Sequence, residues 1–208
     1  MVPLGYVPPV GSERGSWEPL SPDELGSALS VLDAPWWLAG GWALDLFLGR
    51  QSRPHADIDA LILRRDHIQV RGALQQWDAY AADPPGRLRP WAIGEELPPT
   101  VHDVWWRPLD GGPWAFQLMI DDNCGNEWVY RRDPRIRRPV DELAGPASTP
   151  HRLVLAPEIQ LLYKSSSIRG NDQADFDAVR SALTPEQCEW LGHALSLVAP
   201  DHGWRADL

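Results

Sequence analysis

The sequence is poor in the features that mark secreted, membrane or nucleic-acid-coating proteins. Only two of its 208 residues are cysteine, Cys124 and Cys188. They are too few for a disulfide framework or a cysteine-built zinc site, and both are expected as free thiols. No apolar run approaches the roughly 20 residues needed to cross a bilayer. The opening stretch MVPLGYVPPVGSERGS has no basic head followed by an apolar segment, so neither a secretory leader nor a membrane partner is expected, and the chain reads as cytoplasmic. Positive charge is scarce too: 19 Lys and Arg stand against 29 Asp and Glu, a net charge of −10. That is the wrong sign for gripping the phosphate backbone of a long nucleic acid. It suits cations instead, divalent metals and polyamine-like small molecules among them. With 43 % hydrophobic and 23 % charged residues, the chain has ordinary globular usage, which excludes a wholly disordered chain or a fibrous repeat.

The organisation reads as three parts. Residues 1–20 are rich in proline and glycine and lack periodicity, as expected of an extended or disordered arm. Order begins at Ser21-Pro22-Asp23-Glu24, a capping box, and Leu25, Ala28, Leu29 and Leu32 follow at helical spacing. Trp36–Ala39 reads as a strand, Gly40-Gly41 as a tight turn, and Trp42–Leu48 as a helix closed by Gly49. Ile58–Leu63 reads as an interior strand, and a helix is expected over about 66–77. A Pro-rich loop over 83–99 precedes Val101–Arg107 and Trp114–Ile120, which flank LDGG as a hairpin. From Pro157 onward only helical signals remain. One helix contains Ile159, Leu162 and Tyr163, a second runs over about 172–183, and a third opens on the capping box of Thr184 and Gln187. The expected fold is α+β, a small mixed sheet flanked by helices over 21–150 with a C-terminal helical subdomain over 151–208.

Two features carry chemistry. Asp57-Ile58-Asp59 sets two carboxylates on one face of a strand. Were that strand buried as its apolar neighbours suggest, the like charges would require a neutralising partner, and a divalent metal is the simplest. Asp175 and Asp177, the other Asp-x-Asp, lie in a helical register and read as ordinary polar-face residues. Gly40-Gly41, between strand and helix, lets backbone approach an anion while the first amides of the helix point at it. Together the two suit a nucleoside triphosphate with Mg²⁺.

GGWALDLFLGRQSRPHADID resembles the signature of nucleotidyltransferases of the DNA polymerase β-like superfamily. The resemblance points to the aminoglycoside 2″-adenylyltransferase and lincosamide nucleotidyltransferase branch. PEIQLLYKSSSIRGNDQADFDAV is similar, more weakly, to the helical part of such enzymes. The resemblance implies transfer of a nucleoside monophosphate, with ATP the expected donor, to a hydroxyl of a small acceptor, aided by two Mg²⁺ ions. It implies that Gly40 and Gly41 hold the triphosphate, that Asp57 and Asp59 ligate metal, and that Arg53 and His55 stand where a basic residue and a histidine precede the aspartates. Trp42 joins the nucleotide-binding candidates, and Lys164 is expected to reach the triphosphate or the leaving pyrophosphate.

The resemblance also calls for a third carboxylate on a later strand, and here the sequence departs from it. The aligned position is Gln117, whose amide oxygen can ligate a metal but cannot take a proton. Asp121 shares the strand parity of Gln117 but lies four residues on, about 13 Å along a strand, so it serves only if a bulge intervenes. A cationic acceptor would meet Asp121, Asp122 and Glu127. Two alternatives stand beside small-molecule transfer: transfer to a protein side chain, and a nucleotide-binding protein without turnover. The cluster Arg131, Arg132, Arg135, Arg137 and Arg138 reads as a solvated face, and the tryptophans read as core.

Overall fold

The computed structural model describes residues 15–208. In chain order they form α1 (Pro22–Leu29), β1 (Trp36–Ala39), α2 (Gly40–Leu48), β2 (Asp59–Leu63), α3 (His67–Ala73), β3 (Trp77–Ala82), β4 (Leu88–Pro90), β5 (Asp103–Pro108), β6 (Phe116–Cys124), β7 (Glu127–Val129), β8 (Arg137–Pro139), β9 (Leu153–Val154), α4 (Pro157–Lys164), α5 (Gly170–Val179) and α6 (Pro185–Val198). The α+β class is as expected. None of the described helices is long and apolar enough to cross a membrane. Two compact units emerge: the described residues up to Trp36 with His55–Asp121, and Trp37–Pro54 with Asp122–Leu208.

The first unit is built on a mixed sheet in the order β4-β3-β5-β6-β2. Its neighbours are antiparallel, except that β2 runs parallel to β6. The expected β5–β6 hairpin is present, but β6 is longer than expected and continues through Asp121 to Cys124. The helix expected up to residue 77 stops at Ala73, and Trp77–Ala82 is a strand, because pairing of Ala79 with Trp106 and of Tyr80 with Trp105 outweighs the helical preference of its alanines. Trp106 and Phe116 stack with centroids 5.6 Å apart, and Trp91 meets Trp106 edge-on, so tryptophan serves as core here. Of the arm expected over 1–20, residues 1–14 lie outside the described residues. Residues 16–20 are held against the sheet: Glu18 N–H donates to the Trp114 carbonyl (2.9 Å), Leu20 N–H to that of Ala115 (3.0 Å), and Trp17 meets Trp105 edge-on.

In the second unit β1 pairs in parallel with β9, and the end of β6 forms an antiparallel meander with β7 and β8. Helix α4 packs against α2, α5 and α6, and all eight of its residues are buried. Both expected capping boxes, Ser21 with Glu24 and Thr184 with Gln187, are present, and Gly49 closes α2 in the left-handed region. The division differs from a single cut at residue 150, because α2, early in the chain, packs with the late helices α4 and α5. The arginine cluster is not simply a solvated face. Arg138 donates to Glu158 Oε1 (2.6 Å) and lies over Trp190, while Arg131 and Arg132 lie over Tyr163. Cys124 and Cys188 are free thiols.

Candidate active site

In the first unit the parallel pairing of β2 with β6 sets Asp59 directly beside Gln117, and Gln117 N–H donates to the Ile58 carbonyl (2.9 Å). Ile58, just ahead of the strand, is 1 % exposed, whereas Asp59, its first residue, shares a face with its partner Gln117. The expectation of a buried carboxylate pair is not met. Asp57 is exposed and precedes the strand, and Asp59 is half-buried at its first residue, so water reaches the pair and screens its repulsion. What remains is a set of hard oxygen donors, two carboxylates and the amide of Gln117. Mg²⁺ typically takes one or two protein carboxylates and fills its remaining positions with waters and substrate phosphates, and the set fits such an ion. Among the described residues no three His, Cys, Asp or Glu side chains gather into a metal site.

Asp121 does not join these donors. The ladder from Asp59↔Gln117 to Leu63↔Asp121 runs without a bulge, which leaves Asp121 four residues along β6 from Gln117, and its side chain is fully buried. That burial also removes it from the acceptor contacts. His55 is half-buried ahead of β2. A residue overlooked in the sequence, Asp103 on β5, accepts a hydrogen bond from Gln117 Nε2 at 2.9 Å. Strand parity in the β5–β6 hairpin was the signal that could have found it.

In the second unit Gly40 opens α2 with φ +68°, a conformation that penalises any side chain. Its amide is not offered to an anion, since it donates to Gln160 Oε1 of α4 at 2.8 Å. Gly41 and Trp42 follow, both half-buried. Arg53 and Lys164, expected at phosphate, are instead tied to α5. Arg53 is bidentate on Asp175, both contacts at 2.8 Å. Lys164, 8 % exposed, is 2.8 Å from Asp175 and 3.1 Å from Asp172. Asp175, read from sequence as a polar-face residue, is 2 % exposed, because the cations around it replace its water. Ser52 N–H donates to Asp45 Oδ1 (2.9 Å), which with the Arg53–Asp175 pair ties residues 52 and 53 to α2 and α5. Asp122 is half-buried where β6 pairs with β7, and Glu127, at the hairpin tip, is exposed and pairs with Arg137 at 3.5 Å.

Residues 24–83 match the profile of the aminoglycoside-2″-adenylyltransferase family, a span that includes the glycine pair, Arg53, His55 and both aspartates. No curated protein matches the chain by sequence. Among solved structures, the chain is similar to lincosamide antibiotic adenylyltransferase LnuA bound to lincomycin. Identity is 18 % and the TM-score 0.53, over 80 % of this chain and 100 % of that one. It is similar to ANT(2″)-Ia in complex with adenylyl-2″-tobramycin at 15 % identity and TM-score 0.50, over 83 % and 94 % of the two chains. The solution structure of ANT(2″)-Ia gives 17 % and 0.51, over 84 % and 89 %. At such identities the structural likeness is one of fold. The chain shares the fold of these adenylyltransferases, and the profile match over residues 24–83 bears out the resemblance to the aminoglycoside 2″-adenylyltransferases.

Proposed function

We propose that this chain, nucleotidyltransferase in fold and in profile match, moves AMP from ATP to a hydroxyl of a small molecule in the presence of Mg²⁺. The observation that carries the reading is the donor set of Asp57, Asp59 and Gln117 at the head of the parallel β2–β6 pair, inside or beside the segment that matches the family. When bound, Mg²⁺ would supply charge neutralisation at the transferring phosphate. The chain's own part is to hold Asp59 at the first residue of β2, with Asp57 just ahead of it, and to present an oxygen of Gln117 beside Asp59. Gly40 and Gly41 are proposed to cradle the triphosphate through backbone beyond the Gly40 amide, with Trp42 beside them. A cationic acceptor, aminoglycoside-like, agrees with the net charge of −10, and Asp122 and Glu127 are its proposed contacts. A protein of this kind belongs in the cytoplasm, where ATP is abundant.

One observation favours a second reading. Gln117 stands where the resemblance calls for a carboxylate, so the site lacks a base at that atom, and nucleotide binding without turnover is the alternative. Incubation of the purified chain with ATP, Mg²⁺ and a panel of aminoglycosides and lincosamides is expected to release pyrophosphate and yield an acceptor heavier by one AMP, read by mass spectrometry. Nucleotide attached to a protein band in place of the acceptor, or binding with no pyrophosphate released, would overturn the small-molecule reading.

A further inference from the structure

Gln117 is held at both ends. Its backbone amide is fixed to Ile58 (2.9 Å), and its side-chain Nε2 donates to Asp103 Oδ1 (2.9 Å). The contact at Asp103 Oδ1 is made by the nitrogen of the amide, since the amide N–H donates and a carboxylate oxygen accepts. Which end of Gln117 points where is therefore settled by chemistry rather than left to a flip.

The topology gives that orientation a consequence. β6 lies between β5 and β2, with Asp103 opposite Met119, two residues from Gln117 and on the same face. Committing the nitrogen to β5 leaves Oε1 available on the other flank, where Asp59 is the direct partner of Gln117 on β2. Trp105 is the direct partner of Gln117 on β5, and it is buried under Trp17 and Trp114. The Gln117–Asp103 bond thus has an apolar wall on one side, which strengthens it.

We propose that Asp103 is the positioning residue of this site: it locks Gln117 so that the amide oxygen, never the amide nitrogen, is presented beside Asp59. The third position is then filled by a neutral ligand held by a charge, rather than by a charge itself. Without Asp103 the two ends of the amide become nearly equivalent, and half of the orientations would turn N–H groups toward a cation. The inference rests on the reading that Asp57 and Asp59 hold a divalent metal with nucleotide.

The test uses the full chain with a non-hydrolysable ATP analogue and Mn²⁺ as probe, with free Mn²⁺ read by electron paramagnetic resonance and the fold by thermal melting. Asp103→Ala is expected to weaken Mn²⁺ binding about tenfold, the scale on which residues that orient metal ligands act. Asp103→Asn, which can still accept from Nε2, should recover part of the loss. In a Gln117→Leu background, Asp103→Ala should cost nothing further, since the group it orients is gone. Equal losses from Asp103→Ala with and without Gln117, or unchanged Mn²⁺ affinity, would overturn the proposal. Asp59→Asn separates the two levels. If it abolishes Mn²⁺ binding while Asp103→Ala has no effect, only the positioning role fails; if it too changes nothing, the metal reading fails with it.

Discussion

Asp175 receives two hydrogen bonds from Arg53 and an ion pair from Lys164 while its side chain is 2 % exposed. Burial by itself would raise its pKa, but the hydrogen bond from Arg53 and the charge of Lys164 hold it below the ordinary value. Asp172 is held low in the same way, by Arg169 and Lys164 against burial. A carboxylate with a lower pKa in the folded than in the unfolded chain contributes stability that is complete above the unfolded value of about 3.9. That contribution is lost as pH falls through the folded value. Urea denaturation between pH 7 and pH 3 should therefore show stability falling below about pH 4. Asp175→Asn should lose about 3 kcal/mol at pH 7, because it takes the carboxylate from Arg53 and leaves Lys164 with Asp172 alone, and its acid limb should be shallower. An unchanged acid limb would remove Asp175 from this account.

At the scale of elements, the junction of β1 and α2 is set by a contact to a distant helix. The Gly40 amide finds its acceptor in Gln160, 4 % exposed on α4, and the φ of +68° at Gly40 is what aims that amide. Removing the acceptor leaves a buried donor unpaired, at about 1–3 kcal/mol, and a side chain at Gly40 costs about 1–2 kcal/mol in the left-handed region. Gln160→Leu and Gly40→Ala are each expected to destabilise by these amounts in urea titrations. Loss of ATP-analogue binding in Gly40→Ala, measured under conditions where the variant stays folded, would tie the turn to the nucleotide. Retention of full affinity would leave it a structural turn.

Over the whole molecule the two compact units are interleaved along the chain, since Trp37–Pro54 belongs with Asp122–Leu208. Cutting at residue 150 would strip α2 of its neighbours α4 and α5 and leave β1 without β9. A fragment ending at residue 150 keeps the first unit but breaks the second, and is therefore expected to melt at a lower temperature and less sharply by circular dichroism than the full chain. A fragment that melts as sharply as the full chain would show that the N-terminal part folds alone.

What the sequence by itself determined was local or nearly so: the capping boxes at Ser21 and Thr184, the left-handed stop at Gly49, the strand–glycine–helix order, the β5–β6 hairpin, and the family-like run from Gly40 to Asp59. Caps, turns and periodicities are written in residues a few positions apart, and so they can be read in order along the chain. Only the tertiary structure decided the rest. Trp77–Ala82 became a strand through its pairing with β4 and β5, the Gly40 amide was taken by Gln160, Arg53 and Lys164 were drawn to a buried Asp175, and Asp103 came to hold Gln117. A hydrogen bond between side chains distant in sequence depends on which strands and helices become neighbours. That choice is made by burial of the whole core, so no single stretch of sequence contains it.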